Sequence, residues 1–141
     1  QSNHENVITE VNKPWSASAL QVLPATETLF VASDWSPDGK KLIGTLRDGR
    51  VAYFSFETNR YEIVSEAGSF PKWFPDSTRF VALTSSTSGK AYISDIVTKR
   101  VREIGPLKDS DIRGLSISPD GQLLYFTLQS TESDVWLLDL K

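Results

Sequence analysis

Three stretches of this chain repeat one pattern in register, and a chain built of repeats folds as a stack of like units. The first copy reads Asp34-Trp35-Ser36-Pro37-Asp38-Gly39, the second Lys72-Trp73-Phe74-Pro75-Asp76-Ser77 and the third Ser116-Ile117-Ser118-Pro119-Asp120-Gly121. Their Pro-Asp pairs lie 38 and then 44 residues apart. An aromatic follows each proline at nearly constant distance: Tyr53 at +16, Tyr92 at +17 and Trp136 at +17. A shared polar turn comes next, Glu57-Thr58-Asn59-Arg60 and Val97-Thr98-Lys99-Arg100. Trp15 lies 22 residues before Pro37, as Tyr53 lies 22 before Pro75, so it marks a preceding, truncated copy.

Each piece has the chemistry of a hairpin. Proline presets φ, aspartate bonds back to the local backbone and glycine accepts a positive φ. Ser77 stands where the other copies have glycine, and a left-handed serine there costs about 1 kcal/mol. Arg47-Asp48-Gly49-Arg50 and Thr87-Ser88-Gly89-Lys90 supply the next turns. Between turns the runs are short and rich in Val, Ile, Leu, Phe and Tyr, without helical periodicity. A period of about 40 residues with four strands belongs to a β-propeller blade.

The spacing predicts an all-β, incomplete β-propeller of two full four-stranded antiparallel blades with a partial blade at each end. Residues 1–29 are a partial blade with a polar, weakly structured N-terminal segment carrying His4, and Leu20–Leu23 is its strand. Residues 30–68 form a blade from Phe30–Trp35, Lys41–Leu46, Val51–Phe56 and Tyr61–Val64. Residues 69–108 form the next from Phe70–Phe74, Arg79–Thr84, Ala91–Ile96 and Val101–Ile104. Residues 109–141 form a three-stranded last blade from Arg113–Ser118, Leu123–Leu128 and Asp134–Leu140. Propellers close with about four to eight blades. The chain thus enters partway through one blade and stops partway through another, a cut that implies a larger molecule and leaves open edges for self-association.

Composition narrows the function classes. At 39% hydrophobic and 11% aromatic the 141 residues can build a core. A net charge of −3 argues against nucleic acid. Lys99, Arg100, Arg102 and Lys108 make a small basic cluster that Glu103 interrupts, the pattern of a solvated strand edge. No cysteine is present, which removes disulfides, thiolate nucleophiles and cysteine metal sites while leaving the compartment open. No apolar run reaches the roughly 20 residues of a membrane span.

Catalytic sites are hard to assemble from these residues. His4 is the one histidine and lies in the polar N-terminal segment, which suits an exposed tail better than a triad or a zinc site. Asp109 with Asp111, and Glu132 with Asp134, are loop carboxylates without the placement of a glycosidase pair or the spacing of a calcium loop. Trp35 and Trp73 share one repeat position, and Tyr53, Tyr92 and Trp136 another, as packing between blades requires. Trp15 is the least constrained aromatic. No catalytic, cofactor or metal residue is expected, and the binding residues are not legible.

The motifs Trp35-Ser36-Pro37-Asp38-Gly39-Lys40, Trp73-Phe74-Pro75-Asp76 and Ser118-Pro119-Asp120-Gly121, with Leu123 to Phe126, resemble the TolB-like, WD-repeat-like family of propeller repeats over residues 30–140. The ending Thr131-Glu132-Ser133-Asp134-Val135-Trp136-Leu137-Leu138 is similar to the C-terminal propellers of bacterial serine/threonine protein kinases and of winged-helix regulators. That resemblance implies a non-catalytic sensory or protein-interaction module, an extracytoplasmic setting, and an end near Lys141. The kinase is not in this chain, which has no Gly-rich phosphate loop, no His-Arg-Asp and no Asp-Phe-Gly. The alternatives are the propeller of a serine peptidase or a stand-alone TolB-like envelope scaffold.

Overall fold

The computed structural model describes residues 4–16, 19–85, 90–105 and 111–129. Two four-stranded antiparallel sheets form its centre. Strands β3 (Phe30–Trp35), β4 (Lys41–Leu46), β5 (Val51–Ser55) and β6 (Arg60–Ser65) make one blade, paired in sequence order. Strands β7 (Ser69–Trp73), β8 (Arg79–Ser85), β9 (Lys90–Asp95) and β10 (Val101–Ile104) make the next. A two-stranded sheet flanks each side: β1 (Val7–Ile8) with β2 (Gln21–Val22), and β11 (Asp111–Ile117) with β12 (Leu124–Gln129). The two full blades and the partial blades predicted from the repeat are present. The strand Asp134–Leu140, with Trp136, and the carboxylates Asp109, Glu132 and Asp134 lie outside the described residues.

The N-terminal segment contributes to the partial blade: Val7 pairs with Val22 and Ile8 with Gln21. The Leu23 N–H also donates to the Asn6 carbonyl at 2.8 Å. A strand of two residues has no alternation to read, so only its tertiary pairing reveals it.

The turns behave as their chemistry dictates. Gly39 and Gly121 adopt φ of 76° and 72°, and Ser77 adopts the same left-handed state at 59°. Ser36 Oγ donates to Asp38 Oδ1 at 2.6 Å and accepts from Lys41 N–H at 2.9 Å. Ser118 and Asp120 repeat the arrangement, with distances of 2.6 Å and 2.9 Å. In the second blade Phe74 replaces that serine, and Asp76 Oδ1 accepts from both Thr78 and Arg79 N–H at 3.0 Å.

Adjacent sheets stack face to face. Ile43, Val51 and Tyr53 of the first blade meet Trp73, Phe80, Ala82 and Tyr92 of the second. The reverse face of the second blade, Val81, Leu83 and Ala91, packs on Ile112 and Leu115 of β11. The reverse face of the first, Leu42 and Phe54, packs on Leu23 with Ile8. Burial of these apolar side chains contributes about 1.5–3 kcal/mol each. A register shift marks all three inner strands, between Ala32 and Asp34, Ser69 and Lys72, and Ile112 and Gly114. Such bulges bend a strand and re-aim its side chains.

The register overturns one expected equivalence. Ile43 faces Tyr53 across β4–β5, whereas Val81 faces Ile93 across β8–β9. Tyr92 therefore matches Ala52, not Tyr53. The register shift between Leu83 and Ser85 contributes to placing this tyrosine one step out of phase, and one step turns a side chain to the opposite face. The two tyrosines enter a single inter-blade core from opposite sides.

Candidate functional site: the cleft shared by three blades

The inner strands β3, β7 and β11 end at the repeated Pro-Asp turns, and there the three blades converge. Asp34, Lys72 and Ser116 occupy one repeat position, Trp35, Trp73 and Ile117 the next, and Pro37, Pro75 and Pro119 the turn. All nine, with Ser118, line a cleft of about 430 Å³. The site is a product of repeat phase: equivalent positions meet because the blades stack in register.

Its charges are partly committed to holding the blades together. Asp34 Oδ1 accepts from the Trp35 N–H at 3.0 Å, and Oδ2 accepts from the Trp73 N–H of the next blade at 2.7 Å. Lys72 Nζ reaches back to donate to the Ser33 carbonyl at 3.1 Å. Ser33 Oγ donates to the Pro71 carbonyl at 2.9 Å. Deeper in the junction, the Asp38 N–H donates to Ser77 Oγ at 3.0 Å, and Lys41 Nζ donates to the Ser77 carbonyl at 3.2 Å.

The two tryptophans differ in role. Trp73 is 4% exposed and meets Tyr53 and Phe80 edge-on, as a core residue does. Trp35 is 45% exposed, which corrects its expected place in the core. Its ring stacks on Phe56, with centroids 5.3 Å apart and planes 10° apart. The cause is its neighbour: Trp73 faces a four-stranded blade, whereas Trp35 lies on the side of the two-stranded β1–β2 sheet. Trp35 Nε1 donates to the Gly39 carbonyl four residues on, at 3.0 Å. The matching acceptor for Trp73 is Ser77, whose carbonyl takes the Lys41 ammonium instead. Trp73 Nε1 is buried without a partner.

The cleft can stack, hydrogen-bond and attract. It offers the Trp35 ring, three proline rings, the Ser116 hydroxyl and the free protons of Lys72. Sequence reasoning reached Trp35 and Trp73 but not Asp34, Lys72 or Ser116, although their shared repeat position was a usable signal. The remaining candidates lie elsewhere. His4 is exposed and lines a separate groove beside Leu23 and Arg47. Trp15 is exposed. Asp111 pairs with Arg113 at 3.3 Å. No helix among the described residues is long and apolar enough to cross a membrane.

No protein-family model matches the chain, and no curated protein matches it. Solved structures do resemble it. TolB from Acinetobacter baumannii superposes with a TM-score of 0.67 at 17% identity, over 88% of this chain and 32% of that one. A putative TolB from Agrobacterium tumefaciens gives 0.67 at 16% identity, over 80% of this chain and 43% of that one. The tricorn protease gives 0.58 at 13% identity, over 76% and 12%. The chain thus spans less than half the length of either TolB. None of these neighbours supports the resemblance to kinase-linked or winged-helix-linked propellers. At such identities the likeness establishes architecture alone: a β-propeller arrangement like that of the TolB structures, seen among the described residues as two four-stranded blades flanked by two two-stranded sheets.

Proposed function

We propose that this chain is a non-catalytic binding module of a larger protein, and that it engages a protein partner through the three-blade cleft. The observation that carries the reading is the convergence of Trp35, Lys72 and Ser116 from three successive blades on one concave surface. An exposed ring beside a cationic side chain and a hydroxyl gives apolar area with a few directional contacts, the mixture that recognition surfaces use. Asp34, the one carboxylate lining the cleft, already accepts the Trp35 and Trp73 N–H groups, which supports binding over catalysis.

The setting we favour, from the resemblance of the ending alone, is the sensory region of a bacterial signalling protein. The tricorn protease neighbour keeps a second reading in view, a propeller that serves a peptidase domain. A stand-alone TolB-like scaffold is the third. The upstream reading frame separates them by showing a kinase or regulator domain, a hydrolase domain or a bare leader.

The test is site-specific photocrosslinking of the full-length protein in its own cells. A photoreactive residue at position 35 or 72 is expected to trap a second polypeptide, and one at exposed Ile63 on the outer strand of the first blade is not. Equal adducts at all three positions, or none at 35 and 72, overturn the cleft as the binding site.

A further inference from the structure

A second groove lies on the outer part of the second blade, away from the cleft. It has a volume of about 690 Å³ and is lined by Arg79, Arg100 and Arg102 with Asp95, Ile93, Thr98 and Val101. Three guanidiniums thus share one concave surface of an acidic chain. Arg79 is already engaged: its Nε meets Asp76 at 2.6 Å, and its guanidinium lies over the Phe74 ring at 4.7 Å. Arg100 and Arg102 have no carboxylate at ion-pair distance among the described residues. Of the two acids nearest in sequence, Asp95 lies in the groove but is hydrogen-bonded to the turn, and Glu103 is ion-paired. Asp95 Oδ1 accepts from Val97 and Thr98 N–H at 2.8 and 3.2 Å. Glu103 pairs with Lys90 at 3.4 Å.

The spacing says what fits. Arg102 pairs with Ile93 in the ladder, and the Asp95 N–H continues it by donating to the Arg100 carbonyl at 3.0 Å. Arg100 immediately precedes β10 and Arg102 lies within it, and residues two apart in extended backbone face the same side, about 7 Å apart. Carboxylates on alternate residues of an extended peptide have the same repeat, whereas on a helix residues two apart do not share a face. Guanidinium binds carboxylate in bidentate geometry. Exposed Val101 and Val97 add apolar area beside the charges. A single-stranded nucleic acid would need a stacking platform, and no aromatic ring lines the groove.

We propose that this groove docks an extended acidic segment of a partner protein, with carboxylates at every second residue set on Arg100 and Arg102. It is independent of the three-blade cleft and adds a second contact to the binding role proposed above. The probe is a fluorescein-labelled peptide of alternating Asp and Val, followed by anisotropy against the full chain at low ionic strength. Saturable binding that weakens with salt is expected, together with none for the Asn-Val counterpart. Arg100→Glu with Arg102→Glu is expected to weaken it about tenfold or more, while Arg60→Glu on the first blade leaves it unchanged. Should the double reversal unfold, Arg100→Gln with Arg102→Gln gives the same reading.

Trp35→Ala is expected to leave peptide binding intact, which separates this groove from the cleft. Absence of saturable binding by the unmodified chain, an equal loss with Arg60→Glu, or equally tight binding of an oligothymidylate of the same charge overturns the proposal.

Discussion

At the scale of single residues, Ser77 shows how a local cost is offset across a blade boundary. Its left-handed φ of 59° is disfavoured for serine, and the repeat elsewhere uses glycine. The side chain is kept busy: Ser77 Oγ accepts the Asp38 N–H, and its carbonyl accepts Lys41. Ser77→Gly relieves strain but loses the acceptor, so its melting temperature is expected to stay near the unmodified value. Ser77→Ala keeps the strain and loses the acceptor, and is expected to cost about 1–2 kcal/mol in chemical denaturation. The tryptophans give a second contrast. Trp73→Ala is expected to cost about 3–5 kcal/mol. Trp35→Ala loses one exposed stacked pair and is expected to cost no more than about 1.5 kcal/mol. Equal losses would contradict the burial difference between them.

At the scale of elements, the turns carry a pH signature. The hydrogen bond from Ser36 holds the Asp38 carboxyl below its ordinary value of 3.8, and that from Ser118 does the same for Asp120. A carboxyl depressed in the folded state stabilises above its unfolded value and loses that contribution as pH falls through the folded one. The melting temperature is therefore expected to hold steady from neutral pH to about 4.5 and to decline below about 4. Both groups are exposed, so the decline is shallow, and Asp38→Asn with Asp120→Asn should lessen it, with Asp48, Asp76 and Asp95, also held below the ordinary value, keeping the remainder. These turns were legible because proline, aspartate and glycine write their conformations directly into sequence. Nearly all strand positions followed from them. The phase of Tyr92 did not, because it depends on the register shift between Leu83 and Ser85, which no turn motif marks. The exposure of Trp35 was hidden too, since it depends on which sheet lies opposite.

At the scale of the whole molecule, the arc of blades has unequal ends. Ile43 and Val81, at one repeat position, are 0% exposed, while Tyr125 at the same position is 63% exposed. Leu124–Gln129 carries no formal charge, and β11 is its one strand partner among the described residues. Such an edge invites pairing. The isolated chain is expected to associate as concentration rises through the micromolar range, and Thr127→Lys at this edge is expected to suppress that. A constant monomer mass by light scattering would count against it. The purified chain is also expected to show no ATP turnover or peptide hydrolysis, which activity assays check directly.

The junction between the two full blades has a further consequence. Asp34 and Lys72 hold the same address in successive repeats, yet both act on one seam, the first reaching forward to Trp73 and the second back to Ser33. A lysine cannot accept a backbone proton, so the seam beyond the second blade must be fastened by different chemistry. The repeats are thus not interchangeable tiles. Each seam is keyed to its two blades, and a shuffled chain with the same blades in another order would bring together locks and keys that do not match.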